Sequence, residues 1–166
     1  MTDDSVIRQQ ILQLIDGRNA HLSFDDAVDR FPIERINEQP PYVPYTPWHI
    51  VEHLRISQWD ILEFVRDPDH QSPSWPAGYW PDPAAVADRS QWIDSLDGFR
   101  SDLAAVKEFV QDLSVDLSAE LPHAPGYTYI REFLLVADHN AYHVGEFAIL
   151  RQIMGAWPAD REMQKL

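Results

Sequence analysis

Thirteen prolines cut this chain of 166 residues into pieces, and the stretches they spare decide its architecture. Proline fixes φ and removes a backbone donor, so it is kept out of helix interiors. The prolines gather between 32 and 47, between 68 and 83, and at Pro122 and Pro125, with Pro158 near the end. Four stretches between these clusters carry apolar residues at helical period. The first holds Ile7, Ile11, Leu14 and Ile15, and Arg18, His21 and Leu22 continue roughly the same stripe across Gly17. Ser23 to Arg30 either prolongs that helix or forms a separate turn. The second stretch opens with Thr46 as N-cap and Pro47 at the first helical position, a favoured pairing. It runs to about Arg66 and ends before Asp67-Pro68. The third carries Trp92, Leu96, Phe99, Leu103, Val106 and Val110. The fourth starts after Thr128 and runs to about Met154, where Gly155 and then Pro158 stop it.

No run of alternating residues is bounded like a β-strand. The expected fold is therefore all-α: a single four-helix-bundle domain over residues 1–166, with long connections rich in proline and tryptophan. The connector from 67 to 83 is too long for a plain bundle loop, which gives it a functional or packing role.

Cysteine is absent, which excludes disulfides, thiolate ligands and a cysteine nucleophile together. Any bound metal must be held by histidine or carboxylate. A formal charge of −14, with 13 Lys and Arg, argues against nucleic acid and against anionic membranes. The acidic opening Met1-Thr-Asp-Asp-Ser lacks the basic and apolar regions expected of a signal peptide, and no apolar stretch reaches the ~20 residues that span a bilayer. Cytoplasm is the expected compartment.

The chemistry concentrates in histidine. Asp138-His139-Asn140-Ala141-Tyr142-His143 lies inside the apolar fourth stretch, and two histidines four apart on a helix share one face. Two imidazoles at that spacing can bind one metal at about 2.0–2.1 Å each. A third ligand should come from another helix, and Trp48-His49-Ile50-Val51-Glu52-His53 offers a second pair, His49 and His53. In a His-Glu-x-x-His protease motif the glutamate is the general base. Asn140 stands at that place and cannot accept a proton, so that chemistry is not expected. Asp138, Glu146 and Glu52 are candidates to orient a ring N–H or take a proton, and equally suit solvated helix faces. Trp75, Tyr79 and Trp80 are candidate pocket walls, with Tyr142 projecting from the last helix. Arg55 and Arg151 could anchor a substrate carboxylate, although local ion pairs would use them as well.

These residues resemble the DinB-like (YfiT-like) metalloenzyme superfamily along nearly the whole chain. The resemblance rests on Ala20-His21, on Trp48 to His53-Leu54, on Trp75-Pro76 to Tyr79-Trp80-Pro81, and on Asp138-His-Asn-Ala-Tyr-His-Val-Gly-Glu. It implies a four-helix bundle holding one divalent metal through three histidines, here His53, His139 and His143. It gives His49 no ligand role and leaves it lining the pocket or exposed. It places His21 near the bundle mouth without a function. It further implies thiol-dependent transferase chemistry, with a low-molecular-weight thiol as co-substrate, or metal-dependent hydrolysis of a small molecule. Three imidazoles suit Zn, Ni or Fe about equally. A non-catalytic metal- or ligand-binding bundle is the alternative reading. The apolar faces of four helices also make a homodimer plausible.

Overall fold

A computed structural model describes residues 4–17 and 19–159 of the chain. The acidic opening through Asp3, and Arg18 of the first stripe, lie outside the described residues. The elements in order are α1 (Ser5–Asp16), α2 (Phe24–Val28), α3 (Pro47–Arg66), α4 (Arg89–Gln111), β1 (Glu120–Leu121), β2 (Ala124–Thr128) and α5 (Tyr129–Ile153). Short 3-10 turns occupy Ile33–Arg35 and Ala77–Tyr79. Helices α1, α3, α4 and α5 form the bundle: α3 packs on α4 and α5, while α1 lies against α5 and α4. Among the described residues no helix is long and apolar enough to cross a membrane.

The helix ends follow local chemistry. Thr46 caps α3 by accepting from the His49 N–H, with Pro47 next, and Asp67 closes the helix in extended backbone. Thr128 caps α5 from the Arg131 N–H, and Gly155 comes just after the helix at φ +59, the left-handed region that glycine enters without steric cost. Asp88 and Gln91 form a capping box at the start of α4. Buried Arg8 ties α1 to the far end of α4, its guanidinium donating to the carbonyls of Val110 and Asp112. A cation there also complements the negative end of the α4 dipole.

Two expectations are corrected. The first helix stops at Asp16, because Gly17 adopts φ +78 and ends it. His21 and Leu22 therefore belong to the turn before α2, which Ser23 caps as a separate helix. Between the third and fourth helical stretches, where no strand was expected, lies an antiparallel hairpin that pairs Glu120 with Thr128 and Leu121 with Ala124. Pro125 and Gly126 inside β2 hide it from any alternation pattern.

The interior divides into two apolar clusters. One gathers Phe24, Phe31, Trp48, Ile50, Leu54, Phe99, Val144 and Phe147. The other gathers Ile11, Ile15, Leu62, Val106, Val110, Leu121, Phe133 and Val136. Between them along the helices lie the buried amides of Gln58 on α3 and Asn140 on α5, joined by a 2.8 Å hydrogen bond.

Candidate metal centre

His53 sits in the second turn of α3, and His139 and His143 sit one turn apart on α5, the helix packed against it. The three rings converge. His53 Nε2 lies 3.1 Å from His143 Nε2 and 3.2 Å from His139 Nε2. One ring nitrogen from each residue falls within 4.8 Å of the others, so the group could hold a metal ion. Their ligand atoms come from two rigid elements, which favours a fixed geometry.

The outer faces of the rings show which nitrogens are bare. His53 Nδ1 lies 2.8 Å from the Tyr79 carbonyl, which can only accept, so the proton sits on Nδ1. His143 Nδ1 lies 2.7 Å from the Glu146 carboxylate and likewise donates. With those N–H groups turned outward, the two Nε2 atoms face each other at hydrogen-bond distance. Two such nitrogens at 3.1 Å need a proton or a cation between them. Burial pushes the His53 imidazole down to about 4; the Tyr79 carbonyl opposes this, the neighbouring His143 adds to it, and Glu146 opposes it. Burial, then the proximity of His143 and His53, takes His139 down to about 3. At neutral pH these two rings are uncharged ligands, the form that metal binding requires. The residues fit a divalent ion by both orientation and donor type.

Around the cluster, Trp80 stacks on His53 at 3.8 Å between centroids and 5° between planes. The Tyr45 hydroxyl donates to Glu146, and burial with this carboxylate holds the hydroxyl well above the usual tyrosine range. Tyr79 is anchored by its own hydroxyl, 2.6 Å from Asp60, whose other oxygen lies 2.7 Å from His70 Nε2. The carbonyl that orients His53 is thus held by a buried carboxylate two turns further along α3. The histidines are not sealed: the His143 side chain keeps 12% of its surface and Glu146 keeps 31%.

Other candidates lie elsewhere. His49 is buried one turn before His53, but both of its ring nitrogens are used. Nδ1 accepts from the Thr46 N–H and Nε2 donates to the Asp82 carbonyl. Glu52, the residue before His53, accepts instead from Arg55 and Ser95. Asp138, the residue before His139, faces solvent. Trp75 is 79% exposed and meets the edge of Tyr79, so among the described residues Trp80 brings indole to the three clustered histidines. Tyr142 is 68% exposed, with its ring edge on His143. His21 lines a cavity of about 290 Å³ beside Phe24, Phe99, Leu103 and Val144, whose lining includes none of the three histidines. Arg55 is spent on Glu52, and fully buried Arg151 donates to the carbonyls of Ala27, Asp29 and Ala156. Tyr45 and Asp60 were not legible as site residues, since each acts through a partner distant in sequence.

Fold and site together define a class: an all-α bundle whose facing helices converge three imidazoles able to hold a metal ion. A family model described as the DinB superfamily matches residues 20–147, and the chain belongs to that family. Comparison with curated proteins and with solved structures gives no match.

Proposed function

We propose that this protein is a metal-dependent enzyme in which His53, His139 and His143 hold one divalent ion, and that it acts on a small molecule by thiol-dependent transfer or by hydrolysis. The observation that carries the reading is the inward meeting of Nε2 atoms whose rings are pinned from behind by the Tyr79 carbonyl and by Glu146. When bound, a divalent ion supplies Lewis acidity that lowers the pKa of a thiol or of water. The chain's own part is positioning. Tyr79 and Glu146 accept from Nδ1 of two rings and so turn their Nε2 atoms inward, and the Tyr45 hydroxyl donates to Glu146. Trp80 covers one face of His53 and excludes water there. With no cysteine in the chain, a reacting thiol must arrive as a co-substrate, and zinc, nickel or iron suits the donor set.

Metal analysis of purified wild type beside His53→Ala and His139→Ala tests the site. About one equivalent in the wild type and none in the variants supports it; equal, negligible metal in all three sinks it. Screening the metal-loaded protein with electrophiles and several cellular thiols then separates an enzyme from a non-catalytic binding bundle. Thiol-dependent turnover lost in His143→Ala favours the enzyme, whereas metal-dependent melting with no turnover favours the bundle.

A homodimer is part of the same proposal. It is supported by Leu135, Tyr142, Ile149 and Ile153, which stay exposed along α5. Light scattering that gives a monomer's mass would remove it.

A further inference from the structure

His139 differs from its two partners in one respect. Its Nδ1 is buried and has no hydrogen-bond partner, and the Oδ1 of Asn140, the next residue, is buried and unpartnered too. The amide orientation is not arbitrary. Gln58 lies 2.7 Å from the Phe99 carbonyl, which only accepts, so its NH2 group must face that carbonyl. Its Oε1 then faces Asn140, whose NH2 donates across 2.8 Å. Asn140 Oδ1 is thereby left as an acceptor with no donor, closed off from solvent.

The two orphans are complementary only when Nδ1 carries a proton. With the His139 proton on Nε2, that ring donates to His53, and Nδ1 and Oδ1 remain two buried acceptors without donors. With the proton on Nδ1, the orphans become donor and acceptor, but three Nε2 lone pairs then converge. A cation among the Nε2 atoms removes that conflict and lets both buried atoms pair.

We propose that Asn140 is the positioning residue for His139: its Oδ1 accepts the Nδ1–H of that ring when the three Nε2 atoms share a cation, and Gln58 holds the amide in this orientation. The inference rests on the metal-centre reading and completes it. A carbonyl, a carboxylate and an amide each pin one ring from behind. Outer partners of this kind typically change metal affinity by about 10–100-fold when lost.

Zinc affinity by chelator competition, and thermal stability of the metal-free protein, should be measured for wild type, Asn140→Asp and Asn140→Leu. Asn140→Asp keeps the acceptor for His139 but sets a carboxylate oxygen against Gln58 Oε1. It is expected to bind zinc at least as tightly as wild type while melting lower. Asn140→Leu keeps the shape and loses the acceptor, and is expected to lose about 10–100-fold in affinity. Affinity that merely follows stability across the three proteins overturns the proposal, as does Asn140→Leu binding as tightly as wild type. Should Asn140→Asp not fold, proton NMR of the cobalt-loaded wild type serves instead. It should show three ring N–H signals slow to exchange with solvent, one of them absent in Asn140→Leu. A His139 N–H that exchanges freely overturns the proposal. A wild type that takes up no zinc removes the metal centre and this inference together, whereas normal uptake with an indifferent Asn140→Leu removes the inference alone.

Discussion

His49 and His53 stand one turn apart on α3 and are equally buried, at 4% and 3% exposure, yet they serve opposite ends. His49 spends both ring nitrogens on backbone: one accepts from Thr46, closing the capping box, and the other donates to Asp82. His53 spends only Nδ1, on the Tyr79 carbonyl, and presents Nε2 to His139 and His143. Spacing and burial are the same for both; the partners of the second nitrogen differ. A buried histidine becomes a ligand candidate when one nitrogen is satisfied and the other is left bare toward its like.

The largest expected effect tests that contrast directly. His53→Ala, His139→Ala and His143→Ala should each lose more zinc affinity than the ~10–100-fold typical of an outer-shell partner. His49→Ala should keep the zinc and instead lose about 1–2 kcal/mol of stability, the cost of a removed cap, read from its denaturation midpoint. A His49 variant that loses zinc while His53→Ala retains it would break the contrast.

The next effect is pH dependence of the metal-free protein. The folded-state values of His53 and His139 are depressed to about 4 and about 3, against 6.5 for an unperturbed ring. Between these limits the unfolded chain binds more protons than the folded one, so stability rises with pH there. The contribution is in place above about pH 6.5 and is lost as pH falls toward 4 and then 3, on the order of a few kcal/mol for the pair. Denaturation midpoints across that range should show it, and replacing both residues with alanine should flatten the profile. An unchanged slope in the double variant would count against buried neutral rings.

Smaller effects sharpen the role of the outer groups. Glu146→Leu removes the acceptor of His143 and should cost about 10–100-fold in zinc affinity. Tyr45→Phe leaves that acceptor in place and removes only its own hydroxyl, so its cost should be smaller, measured by the same chelator competition. If Tyr45→Phe costs more than Glu146→Leu, the order of dependence is reversed.

Much of this arrangement was legible in the sequence. Thr46-Pro47 and Asp67-Pro68 mark both ends of α3, and Thr128 and Gly155 mark those of α5, because caps and proline act through local backbone chemistry. The hairpin was not legible, since β1 has only two residues and its partner strand carries Pro125 and Gly126. The histidine pairs stood out as i, i+4 spacings, but spacing alone left His49 and His53 equivalent. What separates them is the carbonyls of Tyr79 and Asp82, and a backbone atom carries no side-chain identity to read. Asn140 was legible as a residue that cannot act as a base. Its buried amide partnership with Gln58 emerges only when α3 and α5 pack.

The central claim is that three histidines from two helices share one ion. Anomalous diffraction at the zinc edge, from crystals of zinc-loaded protein, tests it most directly. The account predicts a single strong peak bonded to Nε2 of His53, His139 and His143, with His53 Nδ1 still on the Tyr79 carbonyl. A map with no peak among those nitrogens, or a peak held by His49 or by carboxylates in their place, would contradict it.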